Sequence, residues 1–283
     1  MVVLVVLIAV FLLLKSVPSI LDDKSNFFTS TDWAPTPGNL HFGVASMLWT
    51  TVAISIVALV IAVPIAVGIA LYITHYAPRR LARPVAYLID LLAAIPSIIY
   101  GIWGAGVLSA HLTGVQRSLY HLGAIPLFAN QSVNTGTLFD GSLVLAVMIL
   151  PIVTAISRDV FARTPAANIE AAWALGATKW EMIRMAVLPY GRAGLVSGSM
   201  LGLGRALGET IAVTLILSKV SNFSFSIFSG GETFASKIAN NSQEFNNPAS
   251  TGAYIAAGLV LFVLTFVVNA AARAVVDRKK DFT

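Results

Sequence analysis

The chain contains no cysteine, which excludes disulfide bonds and thiolate-bound metal sites. Charge is scarce as well, because Asp, Glu, Lys and Arg make up only 11% of the 283 residues, against about a quarter in soluble domains. Hydrophobic residues make up 57%, and the mean hydropathy is +0.82. Such a chain has too little polar surface to cover itself in water. We therefore expect an integral membrane protein that crosses the bilayer several times.

Histidine is rare too, and the four histidines fall in or beside expected loops without the spacing of metal ligands. They are His41, His75, His111 and His121. The chain also lacks the Walker A phosphate-binding motif, since none of its seven lysines follows a glycine. We therefore expect no metal and no nucleotide to bind this chain.

Long apolar stretches predict the fold class. A hydrocarbon core about 30 Å thick takes roughly 20 apolar residues per helix. Six stretches meet or approach that length, at about 2–21, 44–74, 85–110, 141–157, 194–218 and 251–272. We predict an all-α integral membrane protein with about six transmembrane helices, forming a single domain over 1–283. An even number of spans places both termini on the same side of the membrane.

The basic residues are distributed unevenly between the two sets of loops, which orients the chain by the positive-inside rule. One side holds twelve: Arg79, Arg80, Arg83, Arg158, Arg163, Lys179, Arg184, Arg192, Arg273, Arg278, Lys279 and Lys280. The other side holds five: Lys15, Lys24, Arg117, Lys219 and Lys237. We expect the first side and both termini to be cytoplasmic. The net charge of +5 then reflects topology, and no nucleic-acid partner is expected.

One arginine, Arg205, lies in the middle of the fifth apolar stretch, with Glu209 four residues later. Charged residues at that depth are costly and usually face a protein interior or a solute pathway. On a continuous helix the two side chains share a face and form either a neutralising pair or an anion site gripped by the arginine. An ion pair with the base before the acid stabilises a helix less than one in the reverse order. A buried ion pair also rarely gives more stability than apolar residues of similar size. Both points favour the anion site.

The third stretch carries a further charge, Asp90, which we expect to pair with Arg83 or Arg158. Pro96 interrupts the same stretch, and the broken helices of transporters often lie near substrate. Ser97 and Tyr100, which follow the proline, are therefore candidate pathway residues.

Glycines recur at intervals of four along the fifth stretch. One row contains Gly194, Gly198 and Gly202, and a second contains Gly204 and Gly208. This spacing lets helices approach closely within a membrane. We expect tight helix packing along the segment and, with Arg205 beside it, a pathway at a subunit interface.

A cytoplasmic loop at 164–190 contains signals for two short helices. Thr164 before Pro165 predicts an N-cap with proline at the first helical position, and Gly176 can end that helix. The run Thr178-Lys179-Trp180-Glu181 is a capping-box pattern that opens a second short helix, which we expect to end near Pro189.

The loop should expose two tryptophans, Trp173 and Trp180. Two capped helices with exposed aromatic side chains suit insertion into the groove of a partner protein. A helix pair lying on the lipid surface would show the same spacing. The pattern leaves both possibilities open.

The same loop resembles the EAA loop of binding-protein-dependent ABC importers, whose pattern is EAA, three residues, Gly, nine residues, then I-x-LP. Here Glu170-Ala171-Ala172 is followed by Gly176 and later by Leu188-Pro189, with the spacing intact. One position departs, since Ala186 stands where the family usually has isoleucine. In that family the loop is the coupling helix that docks on a cytoplasmic ATPase. The resemblance implies such a contact at Glu170, Ala171, Ala172 and Gly176.

A second resemblance is narrower. The run from Ser199 to Thr214, and the run from Ala94 to Gly104, closely resemble the PstC-type permeases of the phosphate-specific transport system. The likeness covers about 45–275 and implies a MetI-like type I ABC importer permease fold. It implies one half of the pathway of an ATP-driven importer of inorganic phosphate. It also implies a PstA-type permease as heterodimer partner, a PstB-type ATPase dimer carrying ATP and Mg²⁺, and a PstS-type phosphate-binding protein outside.

By this resemblance the chain is a transport subunit of the bacterial plasma membrane and not an enzyme. Arg205 is expected to grip phosphate, and Glu209 to hold Arg205 in the empty state. The other expected pathway residues are Thr210, Ser97 and Tyr100.

Three alternatives stay open on the sequence. The nearest is a permease for another oxyanion, such as sulfate or molybdate. A membrane enzyme acting on phosphorylated lipid would need a nucleophile and a base together, which the intramembrane residues do not supply. An ion channel would have no use for the 164–190 loop.

Overall fold

The computed structural model describes residues 2–36, 38–120, 126–128, 135–220 and 222–277, which form twelve α-helices and one hairpin. In chain order they are α1 (Val2–Leu21), β1 (Trp33–Thr36), β2 (Asn39–Phe42), α2 (Ala45–Leu71), α3 (Arg79–Ala93), α4 (Ser97–Trp103), α5 (Ser109–Tyr120), α6 (Leu138–Ala162), α7 (Ala166–Ala174), α8 (Lys179–Met182), α9 (Leu188–Leu207), α10 (Ile211–Ile216), α11 (Phe234–Asn240) and α12 (Pro248–Asp277). Short π-helical segments follow α2, α4 and α8, at Tyr72–Tyr76, Gly104–Leu108 and Ile183–Val187. Single 3₁₀ turns occur at Pro126–Phe128 and Ser242–Glu244. His121, Arg278, Lys279 and Lys280 lie outside the described residues, as does part of the outer loop expected at 111–140.

Five helical stretches of the described residues are long and apolar enough to cross a membrane. They are Val2–Leu21, Ala45–Tyr76, Ser97–Leu119, Leu138–Ala162 and Pro248–Ala274. The third begins at Ser97 and not near residue 85, because the chain breaks at Ile95–Pro96 between α3 and α4. The expected fifth stretch is divided into α9 and α10, and α9 is less apolar because it carries Arg192, Arg205 and several glycines.

The chain divides into two compact units. The first contains 1–56, 97–144 and 207–268, and the second contains 57–96, 145–206 and 269–283. Four helices contribute residues to both units, namely α2, α6, α12 and, by its last residue alone, α9. Each unit has its own buried apolar cluster.

The core of the first unit is aromatic and lies against the hairpin. Phe42 and Phe234 are fully buried there, together with the small residues Ala253, Ala256 and Ala257 of α12. The hairpin was not expected from the sequence. Its strands pair antiparallel, and Gly38 in the turn has a φ of +81°, which glycine adopts without steric cost.

A buried carboxylate fixes the start of α6 in the first unit. The Asp140 side chain accepts hydrogen bonds from the backbone N–H groups of Gly136 and Thr137, at 2.9 and 3.1 Å, and from Gln116 Nε2 at 2.6 Å. Because each carboxylate oxygen is satisfied, the charge can remain buried. The bond to Gln116 ties α5 to α6.

The core of the second unit joins the 164–190 loop to the long helices. Phe161 of α6 and Ala172 of α7 pack with Met182, Ile183 and Val187. Asp90 lies on α3 of this unit, outside the five candidate spans, and its Oδ1 is 3.8 Å from Arg158 Nη1. The structure thus selects Arg158 as its partner.

Candidate functional site

Helix α9 forms one wall of a cavity that the predicted site residue Arg205 lines. The cavity has a volume of about 790 Å³ and belongs to the second unit. Its lining is Ile152 of α6, Val196, Ser197, Met200, Leu201, Gly204 and Arg205 of α9, and Asn269, Ala272 and Arg273 of α12. The α9 positions recur at intervals of four, so they form one continuous helix face.

The cavity carries positive charge without a matching acid. Arg205 and Arg273 both line it, and none of its described lining residues is acidic. Among the described residues, no ion pair includes either arginine. Such a cavity attracts oxyanions, because guanidinium groups present paired N–H donors to their oxygens.

The position of Arg205 within α9 lowers the cost of its charge. Arg205 lies in the last turn of the helix, where the backbone carbonyl groups have no intrahelical partners. A cation there interacts favourably with the helix dipole, by roughly 0.3–1 kcal/mol at exposed sites. The helix end therefore offsets part of the positive charge of Arg205. From the sequence, Glu209 had been expected to offset that charge.

The expected Arg205–Glu209 pair on one helix face is wrong. Helix α9 ends at Leu207, and Glu209 lies in the break before α10. Its Oε1 accepts a hydrogen bond from the backbone N–H of Ala212 at 3.2 Å, so the carboxylate caps α10. Two local features favour the break. Gly208 is a poor helix former, and the Thr210 hydroxyl donates to the Gly208 carbonyl at 3.2 Å.

The three glycines of the predicted row, Gly194, Gly198 and Gly202, lie on α9 and face α6. A Cβ added at Gly194 would lie 2.3 Å from Val160, and one added at Gly198 or Gly202 would lie 3.1 Å from Ile156 or Val153. The close approach that the spacing predicts thus occurs inside this chain, between α9 and α6. A Cβ at Gly204 would meet nothing within 4 Å of the described chain, and Gly208 is exposed in the break.

Ser97 and Tyr100 belong to the first unit, where α4 packs against α10. The contact is close because Gly101 lacks a side chain, and a Cβ there would lie 2.9 Å from Leu215 Cδ1. Ser97 is the first residue of α4, and Tyr100 is buried. The structure therefore brings their helix next to the helix that Glu209 caps. Arg205 belongs to the second unit.

The 164–190 loop begins with α7, whose start differs by one residue from the prediction. The N-cap position is Pro165, and Thr164 does not cap the helix. The buried Thr164 hydroxyl instead donates to the Phe161 carbonyl at 2.9 Å and closes the end of α6. Gly176 follows α7 with a φ of +77°, as expected of a glycine that ends a helix.

The predicted capping box is present at α8. Thr178 Oγ1 accepts from the Glu181 backbone N–H at 3.4 Å, and the Thr178 backbone N–H donates to Glu181 Oε2 at 2.7 Å. The helix does not end near Pro189, however, because helical backbone continues through Ile183–Val187 into α9. A π-helical turn just before the proline accommodates its missing N–H group. The loop is therefore joined rigidly to the helix that bears Arg205.

The loop exposes several apolar side chains. Trp173 and Trp180 are each 55% exposed and Leu175 is 81% exposed, while Glu170 and Ala171 are also accessible. Ala172, by contrast, is buried against the core of the second unit, where it positions α7. Exposed tryptophan and leucine on one short segment are typical of a surface that another protein covers.

Two residues of the cavity were missed at the level of sequence. Arg273 was counted only as a basic residue flanking the last span, and Asn269 was not considered. A signal for Asn269 existed, since an amide inside an apolar stretch is a polar group that needs a partner. Nothing in the sequence places α12 beside α9.

Comparison with known proteins decides the family. Residues 62–281 match the profile of the binding-protein-dependent transport system inner membrane components. The chain belongs to this family. Its members are transport subunits of multi-pass inner membrane type, which agrees with the five apolar helices.

Several family members from bacteria are similar over nearly the whole chain. The phosphate transport system permease protein PstC 2 of Mycobacterium tuberculosis is 56% identical, covering 98% of this chain and 88% of the relative. The PstC protein of Mycobacterium leprae is 54% identical over 94% and 86% of the two chains. That of Mesorhizobium japonicum is 41% identical over 89% and 78%.

Solved structures of family permeases share the fold. An inward-facing MetNI methionine ABC transporter chain matches with a TM-score of 0.58 at 18% identity, covering 82% of this chain and 94% of that chain. A bacterial ABC transporter that imports the acidic polysaccharide alginate matches with a TM-score of 0.57 at 17% identity, covering 81% and 78%. The fold is that of a type I ABC importer permease.

Proposed function

We propose that this chain is the PstC-type permease subunit of an ATP-driven importer of inorganic phosphate. The observation that carries the proposal is the 56% identity over 98% of the chain to a phosphate transport permease. Sulfate and molybdate are not favoured, because the similar relatives at 39–56% identity are phosphate permeases by name. The chain is a transport subunit and not an enzyme.

The partners follow from the same system. A PstA-type permease completes the pathway, two PstB-type ATPases bind ATP and Mg²⁺, and a PstS-type protein delivers phosphate from outside. Both termini lie in the cytoplasm, which the distribution of twelve against five basic residues supports. The lipid bilayer surrounds the apolar helices.

Arg205 supplies the oxyanion contact. Its guanidinium opens on the cavity and has no carboxylate partner among the described residues, so its donors are available to a passing phosphate. Glu209 acts by capping α10, which keeps the helix broken beside the arginine. Broken helices near a substrate are a recurring device of transporters, because their ends present unpaired backbone groups.

The 164–190 loop transmits the ATPase movement. Its exposed tip, with Glu170, Ala171 and Trp173, docks on the ATPase, and its continuous helix from Lys179 to Leu207 ends beside Arg205. A displacement of the loop therefore moves the cavity wall directly. A rigid helix of this kind transmits motion without a chain of intermediate contacts.

Phosphate uptake by the reconstituted complex tests the assignment. Proteoliposomes containing the four kinds of subunit and internal ATP should accumulate labelled phosphate, and sulfate or molybdate should not compete. Arg205→Lys keeps the charge but loses the planar fork, so uptake should fall about tenfold or more while assembly is retained. Competition by sulfate, or full uptake by Arg205→Lys, would contradict the proposal.

Docking of the loop is tested with a matched pair of glycine variants. Gly176 and Gly38 have similar positive φ angles, +77° and +81°, and open space around them. Gly176→Asp and Gly38→Asp therefore impose similar backbone strain and the same charge. Only Gly176→Asp should reduce co-purification of the ATPase. Equal ATPase recovery from both variants would place the docking surface elsewhere.

A further inference from the structure

The cavity beside α9 holds two arginines from different helices. Arg205 comes from the last turn of α9, and Arg273 comes from the C-terminal part of α12. Two cations that share a cavity repel each other, and none of the described lining residues supplies an opposite charge. An anion in the cavity would relieve this repulsion and satisfy both side chains.

The neutral polar groups of the cavity fit the same ligand chemistry. Asn269 lies one helical turn before Arg273 and offers amide N–H donors on the same face of α12. Ser197 already donates its hydroxyl proton to the Ala193 carbonyl at 2.9 Å, which leaves it as an acceptor. The donors therefore come from α9 at one position and from α12 at two.

We propose that Arg273 and Asn269 form a second oxyanion-binding group, which shares a phosphate group with Arg205. This inference rests on the proposed function and extends it, because the motifs that carry the family resemblance lie outside α12.

Two sources of phosphate are compatible with this chemistry, namely inorganic phosphate and an anionic lipid headgroup. Arg273 is exposed near the end of the last span, where headgroups are within reach of basic side chains. The experiment must therefore vary the two independently. The absence of cysteine from the chain allows a single reporter thiol to be introduced.

The reporter is Leu201→Cys, on the cavity wall between Ser197 and Arg205 and 59% exposed. The whole transporter carrying it is placed in bilayer discs, and the rate of modification by an uncharged thiol reagent is measured against inorganic phosphate. Phosphate should slow the reaction. Arg273→Gln should raise the half-protecting concentration about tenfold or more, and Arg273→Lys should raise it less.

Arg192→Gln is the matched control. Arg192 is an exposed arginine on α9 that does not line the cavity, so its removal should leave protection unchanged. Discs with and without anionic lipid separate the two sources. Protection that follows added phosphate identifies inorganic phosphate, and protection that follows the lipid at constant phosphate identifies a headgroup. Either result supports an anion site at Arg273.

Two results would overturn the inference. One is protection by phosphate that Arg273→Gln leaves unchanged. The other is a Leu201→Cys thiol that no reagent reaches in the assembled transporter, because another chain then fills the cavity. If wild-type proteoliposomes still take up phosphate in either case, the proposed function stands and only the role of Arg273 falls. Absence of wild-type uptake would instead refute the proposed function.

Discussion

Replacing Gly194 by alanine should loosen the contact between α9 and α6. The added Cβ would lie 2.3 Å from Val160 Cγ2, 2.8 Å from Cγ1 and 2.9 Å from Cβ. Rotation of the valine cannot relieve all three contacts, because its own Cβ is among the atoms approached. The two helices must therefore move apart, which weakens the other glycine contacts along the same row.

The expected magnitude follows from comparison with Gly204→Ala on the same helix. Overpacking costs typically about 1–3 kcal/mol. Both substitutions also gain helix propensity, by about 0.8–1 kcal/mol. Gly204 has nothing within 4 Å of its added Cβ among the described residues, so only the gain applies there. The difference between the two variants therefore isolates the packing cost of Gly194.

Thermal unfolding of the purified chain in detergent measures this difference. At roughly 2–4 °C per kcal/mol for chains of 150–250 residues, Gly194→Ala should melt about 2–12 °C below Gly204→Ala. Val160→Ala in the Gly194→Ala background makes room for the methyl group and should recover part of the loss. Equal melting temperatures for the two single variants would refute the close contact of α9 with α6.

Three further predictions concern other parts of the chain. Burial would raise the pKa of Glu232, but the hydrogen bond and charge of Lys237 outweigh it and hold this pKa below the ordinary 4.5. The ionised Glu232 therefore stabilises the fold above pH 4.5, and this stabilisation is lost as the pH falls through the lowered pKa. The melting temperature of the wild type should fall over that pH range, and that of Glu232→Gln should lack this fall. Ala186→Ile should raise the melting temperature, because Ala186 lines a depression of about 480 Å³ and each added buried carbon contributes about 0.8 kcal/mol. A lower melting temperature would mean that the depression cannot take the side chain. In cells, Ser242→Cys should react with an impermeant thiol reagent, and Leu175→Cys should not; the reverse pattern would invert the topology.

The sequence was sufficient wherever a local signal determined the structure. The capping box of Thr178 and Glu181 needs only residues three apart, and it is present as predicted. Gly176 ends α7 because it alone in that segment tolerates a positive φ. The apolar stretches at both ends of the chain also correspond to long helices, since length and hydropathy alone decide them.

The sequence was insufficient where a side chain had two possible hydrogen-bond or ion-pair partners. Glu209 could pair with Arg205 on a continuous helix or cap a new one, and periodicity does not distinguish these. By capping α10, the Glu209 carboxylate accepts a hydrogen bond from the backbone N–H of Ala212. If Glu209 paired with Arg205 instead, this N–H group would lose its partner, which costs free energy. Likewise Pro189 sits inside a helix because the preceding π-helical turn has already displaced the usual hydrogen bonds.

The cavity could not be predicted because its two arginines are 68 positions apart. In a linear reading Arg273 belongs to a basic end that orients the chain, and Arg205 belongs to an intramembrane pair. Only the fold places α9 and α12 at one cavity that both arginines line. Each arginine alone is an ordinary cation, but two arginines that line one cavity favour the binding of an anion between them.

The break after α9 also explains how Arg205 can keep a free charge. A cation in the middle of an unbroken apolar helix would need a carboxylate to offset a cost of several kcal/mol. Here the helix ends two residues later, so the negative end of the helix dipole offsets part of the charge, and the guanidinium lies beside an open cavity. The carboxylate at 209 is then released to cap α10. An arginine stabilised by a helix end keeps its N–H donors for a ligand, whereas one held in a bidentate ion pair would have to lose that partner before every transported anion could bind.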